Sequence, residues 1–321
     1  MPPAVSVILP CYNHEAFVRD AVDSVLRQTV SDIEIIAIDD CSTDNTAKLL
    51  ESVDDPRFTV IRHESNRGSA ETVNEGLRKA QAPYIAILNS DDLFWSERLA
   101  VCLETAQSSD ALLMGTDLDL VNAEGEVIRD REFWWLEWYW GLKDIYRMSG
   151  DLTGTLIDGN IFISTSNFFM NRQLIQAIGP LADYRYVQDY EFLLRALAAY
   201  PRQVLWLEKT LLSYRLHGRN TILDNPLIPA QQTLEILAHW LPELAVGDRA
   251  AERLRHFETH LLKLKGYIEK GVSDQVDARW QPEVVRQRRE LDQVYASLSF
   301  RFGHRVLQPY RWLRGLFAIK K

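Results

Sequence analysis

The feature that most constrains this fold is an alternation of short apolar runs and amphipathic stretches through the first 110 residues. "VSVILP" (5–10), "IEIIAID" (33–39), "FTVIRH" (58–63) and "YIAIL" (84–88) read as strands, rich in β-branched, aromatic and small residues. Between them, Phe17, Ala21, Val22, Val25 and Leu26 recur at helical spacing, and "NRGSAETVNEGLRKA" reads as a further helix. Ser42, Thr43 and Asp44 in "DCSTDNT" are good helix N-caps after the second strand. Links this short imply a mostly parallel sheet covered by helices. From "LLMGTDLDLV" onward the pattern is mixed, with an aromatic-rich segment at 133–146 and a helix at about 190–200. Past about residue 226 only helical periodicity remains. The expected architecture is an α/β domain over 1–226 followed by a helical C-terminal region over 227–321.

The hydrophobic fraction of 46% and charged fraction of 25% fit an ordinary globular chain and exclude a disordered one. Residues 231–321 hold 16 Lys+Arg against 11 Asp+Glu, a balance of +5, so the first 230 carry −14 of the net −9. So acidic a front half argues against nucleic acid as a partner. Cys11, Cys41 and Cys102 have no metal-site spacing, and a sparse, odd set suggests a reducing compartment. Met1 leads directly into a strand, so no signal peptide is expected, and no apolar run reaches the roughly 20 residues of a spanning helix.

In open parallel α/β sheets, ligands bind beyond the carboxyl ends of the strands. Three strands here end in chemically useful residues: Pro10 to Asn13, Asp39-Asp40 and Asp91-Asp92. Two readings stand for the paired acids. They cap the following helices, or they hold a divalent cation and a nucleotide, since hard cations take carboxylate and phosphate oxygens. No G-x-G-x-x-G follows the first strand and no G-K-[ST] occurs, so neither a dinucleotide fold nor a P-loop is expected.

"VSVILPCYNHEAFVRDAVDSVLRQT", "IEIIAIDDCSTDNT", "NRGSAETVNEGL" and "ILNSDDLF" resemble the family-2 glycosyltransferases of GT-A fold. The similarity continues through "STSNFFMNRQLIQAIGPL", "VQDYEFLLRAL" and "YRLHGRNT", covering roughly residues 4 to 222. The resemblance implies a nucleotide-sugar half at about 1–118 and an acceptor half at about 119–226. It places Asp40 on the nucleoside and Pro10, Tyr12 and Glu15 along the base. Asn66, Arg67 and Gly68 shape the donor pocket, with Gly68 supplying a permissive turn. Asp91 lies near the ribose and Asp92 on a cation, Mn²⁺ or Mg²⁺. His217 falls near the diphosphate and the metal, with Arg215 or Arg219 assisting. Asp189 falls at the general base, preceded by Gln188 where the family usually has Glu. Such a base takes the proton of an acceptor hydroxyl as it attacks the anomeric carbon, and a single displacement inverts configuration.

"FWWLEWYWGLKDIY" concentrates four tryptophans in seven residues, among them Trp134, Trp135 and Trp138. Tryptophan faces stack on sugars and sit at lipid–water interfaces, which suits an acceptor site; a hydrophobic core or a subunit contact is the other reading. "QPYRW" at 308–312 matches the Q-x-x-R-W signature of processive membrane synthases, but lies more than a hundred residues past Asp189 and beside no spanning helix. "SLSFRFGHRVLQPYRWLRG" is more similar to the tails of bacterial surface-polysaccharide transferases. It interleaves apolar residues with Arg301, Arg305, Arg311 and Arg314, as helices lying on anionic membranes do. Val284, Leu291 and Leu298 at heptad spacing leave a homo-oligomer through the C-terminal helices open as well.

The reading is thus an inverting, metal-dependent, non-processive transferase. It would use a nucleoside-diphosphate sugar, most simply a UDP-sugar, and a glycan or lipid-linked acceptor in surface polysaccharide synthesis. Its place would be cytoplasmic, peripheral at the inner membrane face. A nucleotidyltransferase would want a glycine-rich basic loop where "PCYNHE" stands, and a non-catalytic scaffold would not need Asp40, Asp92 and Asp189 together.

Overall fold

The computed structural model describes residues 2–129, 134–218, 220 and 227–274. Among the described residues eight strands form one sheet; numbered β1 (Val5–Cys11), β2 (Ile33–Asp39), β3 (Phe58–Arg62), β4 (Tyr84–Ile87), β5 (Leu93–Phe94), β6 (Leu113–Val121), β7 (Phe169–Asn171) and β8 (Val204–Arg215), they lie in the order β3-β2-β1-β4-β7-β6-β8-β5. The four runs that alternate with helices, β1 to β4, give its parallel half. Their side chains carry few polar atoms because helices cover both faces; Val7, Ile8, Ile35, Ala37 and Ile85 are fully buried. Val5 pairs with Ile33 and Cys11 with Asp39, so the ends of β1 and β2 surface together on one rim.

Helix α1 (Val18–Leu26) buries Val18, Ala21, Val22 and Val25, and α3 (Ser69–Lys79) lies on β1. That approach requires Gly76, where an added Cβ would stand 2.4 Å from Ile8 Cγ2. Helix α2 (Thr46–Glu51) begins later than the capping residues suggested. Asp44 Oδ1 accepts from Thr46 N at the start of α2, while its Oδ2 accepts from Glu15 N and Ser42 Oγ from Asn13 N in the neighbouring loop.

The second half of the sheet is mixed. After α4 (Arg98–Ser108), β6 (Leu113–Val121) runs parallel to β8 (Val204–Arg215), with register shifts on either side of Asp117. Two very short strands, β5 (Leu93–Phe94) and β7 (Phe169–Asn171), pair antiparallel to β8 and β4. Helices α5 (Trp134–Ser149), α6 (Leu152–Asp158), α7 (Arg172–Ile178) and α8 (Gln188–Ala199) complete this half.

The helices that follow, α9 (Leu227–Leu244) and α10 (Ala250–Asp274), share the same core through Ile236, Leu237, Leu241, Leu244 and Phe257. Arg253 clamps Asp151 at the start of α6 with two donors at 2.9 Å each, and His260 Nδ1 lies 2.6 Å from the carbonyl of Asp158 at its end. Among the described residues no helix is long and apolar enough to cross a membrane. The basic tail at 297–321, "QPYRW" and the 284–298 heptad lie outside the described residues.

Candidate active site

The loop after β1 is zipped to the loop after β2. Asn13, in a left-handed conformation at φ 54° that Asn tolerates, accepts from Thr43 N at 2.8 Å. His14 N donates to Thr46 Oγ1, and Glu15 Oε2 accepts from both Asn45 N and Asn45 Nδ2. Glu15 is therefore engaged in holding α2. Pro10 is buried inside β1, whereas Tyr12 stands 44% exposed beside it.

Asp40 is buried, and its two oxygens are already occupied. Oδ1 accepts from Arg67 N at 2.7 Å and meets His63 Nδ1 at 2.7 Å; Oδ2 accepts from Gly68 N at 2.9 Å. The carboxylate expected on the nucleoside thereby anchors the 66–68 loop, whose Asn66 Nδ2 reaches the Asp40 carbonyl. Arg67 extends to Glu75. Gly68, at φ 86° with an N–H aimed at Asp40, takes a conformation few other residues adopt. Beside it, Asp39 Oδ1 is buried without a hydrogen-bond partner among the described residues.

The turn after β4 separates the adjacent acids. Asp92 is 0% exposed; Oδ1 accepts from Arg215 N at 2.9 Å and Oδ2 from Ser166 Oγ at 2.6 Å. Burial and the charge of Asp91 push its carboxyl well above the usual range. Asp92 thus braces the turn, and it is Asp91 that meets the imidazoles, with His217 Nε2 at 3.1 Å and His14 Nε2 at 4.0 Å from Oδ2. Burial alone would raise the Asp91 carboxyl, but the His217 hydrogen bond and the charges of the two histidines bring it below the ordinary value. Asp92, expected on the cation, is here engaged by Ser166 and Arg215, and Asp91 is the acid that faces the two imidazoles. Arg215 is likewise a brace: its guanidinium donates to the carbonyls of Asp91 and Ala123, pairs with Asp20 and lies over the Phe17 ring. Arg219 lies outside the described residues.

Asp189, in the first turn of α8, is 8% exposed, and its Oδ2 accepts from Asn160 Nδ2 at 2.9 Å. Burial raises its carboxyl to about 6, against the opposing hydrogen bonds of the helix N-terminus and Asn160. The segment that supplies Asn160 continues to Ser164 and Ser166, which hold Asn89 and Asp92. The hydroxyl of half-buried Tyr214 is raised by burial and by the charges of Asp92, Asp91 and Asp189. Gln188 Nε2 donates to Ser69 Oγ, linking the start of α8 to the Gly68 turn.

A family model described as "Glycosyl transferase family 2" matches residues 6–179. The chain belongs to that family. An "Uncharacterized glycosyltransferase" of Haemophilus influenzae is 30% identical over 237 residues, covering 68% of this chain and 67% of that protein. The "Succinoglycan biosynthesis protein ExoO" of Rhizobium meliloti is 33% identical over 127 residues, 40% of this chain and 36% of its own. Among solved structures, S. aureus TarS 1-349 in complex with UDP-GlcNAc aligns with a TM-score of 0.66 at 18% identity, over 90% of this chain and 81% of that one. The mannosyltransferase PcManGT from Pyrobaculum calidifontis, in complex with GDP-Man and Mn²⁺, aligns with a TM-score of 0.59 at 15% identity, over 98% and 84%. The fold is that of the GT-A enzymes, and the protein is a glycosyltransferase with relatives in polysaccharide biosynthesis.

In this glycosyltransferase the tryptophan segment is largely internal. Trp135, 8% exposed, stacks on Tyr214 at 5.9 Å and 4°, which favours core packing of the two readings for this residue. Trp138 is half-buried and lies edge-on to Trp135. Trp134 opens α5, and its side chain is outside the described ones. Sequence reasoning missed His14, His63 and Asn160. Only His14 carried a local signal, in the loop already assigned to the donor.

Proposed function

We propose that the enzyme transfers a sugar, with inversion and with a divalent cation, from a nucleoside diphosphate to a glycan or lipid-linked acceptor hydroxyl. The observation that carries this reading is Asp189: a buried carboxyl raised to about 6 and held by Asn160, on the same 160–166 segment whose Ser166 holds the Asp91-Asp92 turn. A base poised there is ionised at neutral pH yet more basic than an ordinary aspartate. It takes the proton as the acceptor oxygen bonds to the anomeric carbon and the bond to the diphosphate breaks. Asn160 fixes the orientation of the carboxylate.

The residues present fit a cation. Asp91 offers a carboxylate oxygen and His217 a ring nitrogen 3.1 Å away. The ion would supply positive charge to the diphosphate leaving group. The braced loops at 12–15 and 66–68 would bind the nucleoside and sugar, with exposed Tyr12 available to stack on the base. TarS bound to UDP-GlcNAc and PcManGT bound to GDP-Man and Mn²⁺ share the fold, which supports a nucleotide-sugar donor. A UDP-sugar donor, non-processive action in surface polysaccharide synthesis, and a cytoplasmic, membrane-peripheral location complete the reading. For the last, 297–321 would contact anionic lipid, with each cation contributing about 1 kcal/mol.

A thermal-shift screen of nucleotide sugars with Mn²⁺ tests the donor class. Stabilisation by at least one nucleoside-diphosphate sugar, abolished by chelation, is expected; no response to any donor contradicts it. For the tail, the full chain should float with anionic liposomes and a chain ending at 296 should not.

A further inference from the structure

We propose that His14 is a third ligand to the cation, and that the resulting His14–Asp91–His217 set makes the site prefer a first-row transition ion such as Mn²⁺ over Mg²⁺. The proposal rests on the metal-dependent reading above and adds a residue and a selectivity to it.

The three side chains come from three separate places in the fold: the loop after β1, the turn after β4 and the segment after β8. Their potential ligand atoms all lie within 4.8 Å of one another. Two ligands on one first-row cation sit about 3 Å apart when adjacent, given metal–nitrogen bonds of about 2.1 Å. The His217–Asp91 pair at 3.1 Å already meets that spacing, and His14 Nε2, at 4.0 Å from Asp91, needs a ring shift of about 1 Å.

Each ring is also oriented by its surroundings. His14 Nδ1 lies 2.8 Å from Ser90 Oγ, so with the proton on Nδ1 the ring donates to Ser90 and turns its Nε2 lone pair toward Asp91. The His14 main chain is tied to Thr46, and the ring stands edge-on to His217 at 5.7 Å. His217 is stacked on Phe17 at 4.6 Å, which fixes its plane. A helix cap or an isolated ion pair would need only one of these rings.

The chemistry of the set decides the ion. Mg²⁺ demands oxygen ligands and gives up its waters reluctantly. Two imidazoles and one carboxylate suit ions that accept nitrogen as well as oxygen. Two or three positions would stay open for diphosphate oxygens. Because His14 belongs to the donor loop, the cation would also tie that loop to the metal turn.

The test uses the full chain with MnCl₂ and UDP. Pulsed electron paramagnetic resonance of the bound Mn²⁺ should show ¹⁴N couplings from two imidazoles in the wild type and from one in His14→Ala. Calorimetry should give at least tenfold weaker Mn²⁺ affinity in that variant, and a Mn²⁺-over-Mg²⁺ preference that shrinks with it. His14→Gln, which retains bulk and polarity, should show the same loss of one nitrogen and guards against misfolding. Unchanged nitrogen couplings in both variants, with Asp91→Asn still abolishing Mn²⁺ binding, would overturn the role of His14 and leave the metal reading standing. Absence of Mn²⁺ binding in the wild type would overturn both.

Discussion

Replacing Asp189 by Asn is expected to stabilise the protein at neutral pH while removing transfer. Burial raises this carboxyl from 3.8 to about 6. At about 1.36 kcal/mol per pH unit, keeping the ionised form in the folded state costs about 3 kcal/mol. The folded chain binds the proton more tightly than the unfolded chain. Its contribution is therefore fully present below 3.8 and is lost as pH rises through about 6. Asn has no such titration, and its carbonyl can still accept from Asn160. The stability gap between variant and wild type should open from pH 4 to 6 and reach about 1–3 kcal/mol by pH 7.5, the lower figure allowing for poorer amide geometry. Urea unfolding of both proteins at pH 4.5, 6.0 and 7.5 measures the gap. A gap that does not change with pH, or a variant less stable at pH 7.5, would refute the burial argument. Donor affinity should stay within about threefold, while turnover falls by about 10²–10⁴, the usual share of a general base.

In the wild type, kcat/KM should fall about tenfold per unit below pH 6, following Asp189; a flat profile to pH 5 would place the base elsewhere. Asp92→Ala should cost about 2–4 kcal/mol, because Ser166 Oγ and Arg215 N lose a buried acceptor, whereas Asp91→Asn, which loses its ion pairing with the histidines but keeps an acceptor for His217, should lower the unfolding midpoint less and abolish Mn²⁺-supported UDP binding. Gly76→Ala should destabilise by about 1–3 kcal/mol, since its Cβ would meet Ile8 at 2.4 Å and α3 would have to lift from β1; thermal unfolding checks it.

Strands β1, β2 and β4 were legible because each is a nearly continuous buried run, and β3, a half-exposed edge strand, because of its β-branched and aromatic residues. β5 and β7 were not, because two or three residues hold no period, and they pair only because β8 and β4 offer open edges. The site divides in the same way. Asp189 could be placed by its motif, but its pKa depends on burial and on Asn160, 29 residues away. The resemblance set Asp91 near the ribose and Asp92 on the cation, but neighbours in a turn point in different directions, which sequence does not show. Which one is braced depends on Ser166 and Arg215, 74 and 123 residues distant. The tryptophan cluster stayed open between two readings for a related reason: aromatic residues look alike in sequence whether they stack on a sugar or on Tyr214.

The central claim is direct displacement at the anomeric carbon of a nucleotide sugar with Asp189 as base, and slow donor hydrolysis reports on it without a known acceptor. Proton NMR should follow the first sugar released from α-linked UDP-GlcNAc, UDP-glucose and UDP-galactose in the presence of Mn²⁺. The account predicts that the β-anomer appears first, ahead of mutarotation, from whichever donor is hydrolysed, and that Asp189→Asn suppresses its release. Initial release of the α-anomer, or an undiminished rate in the variant, would contradict it.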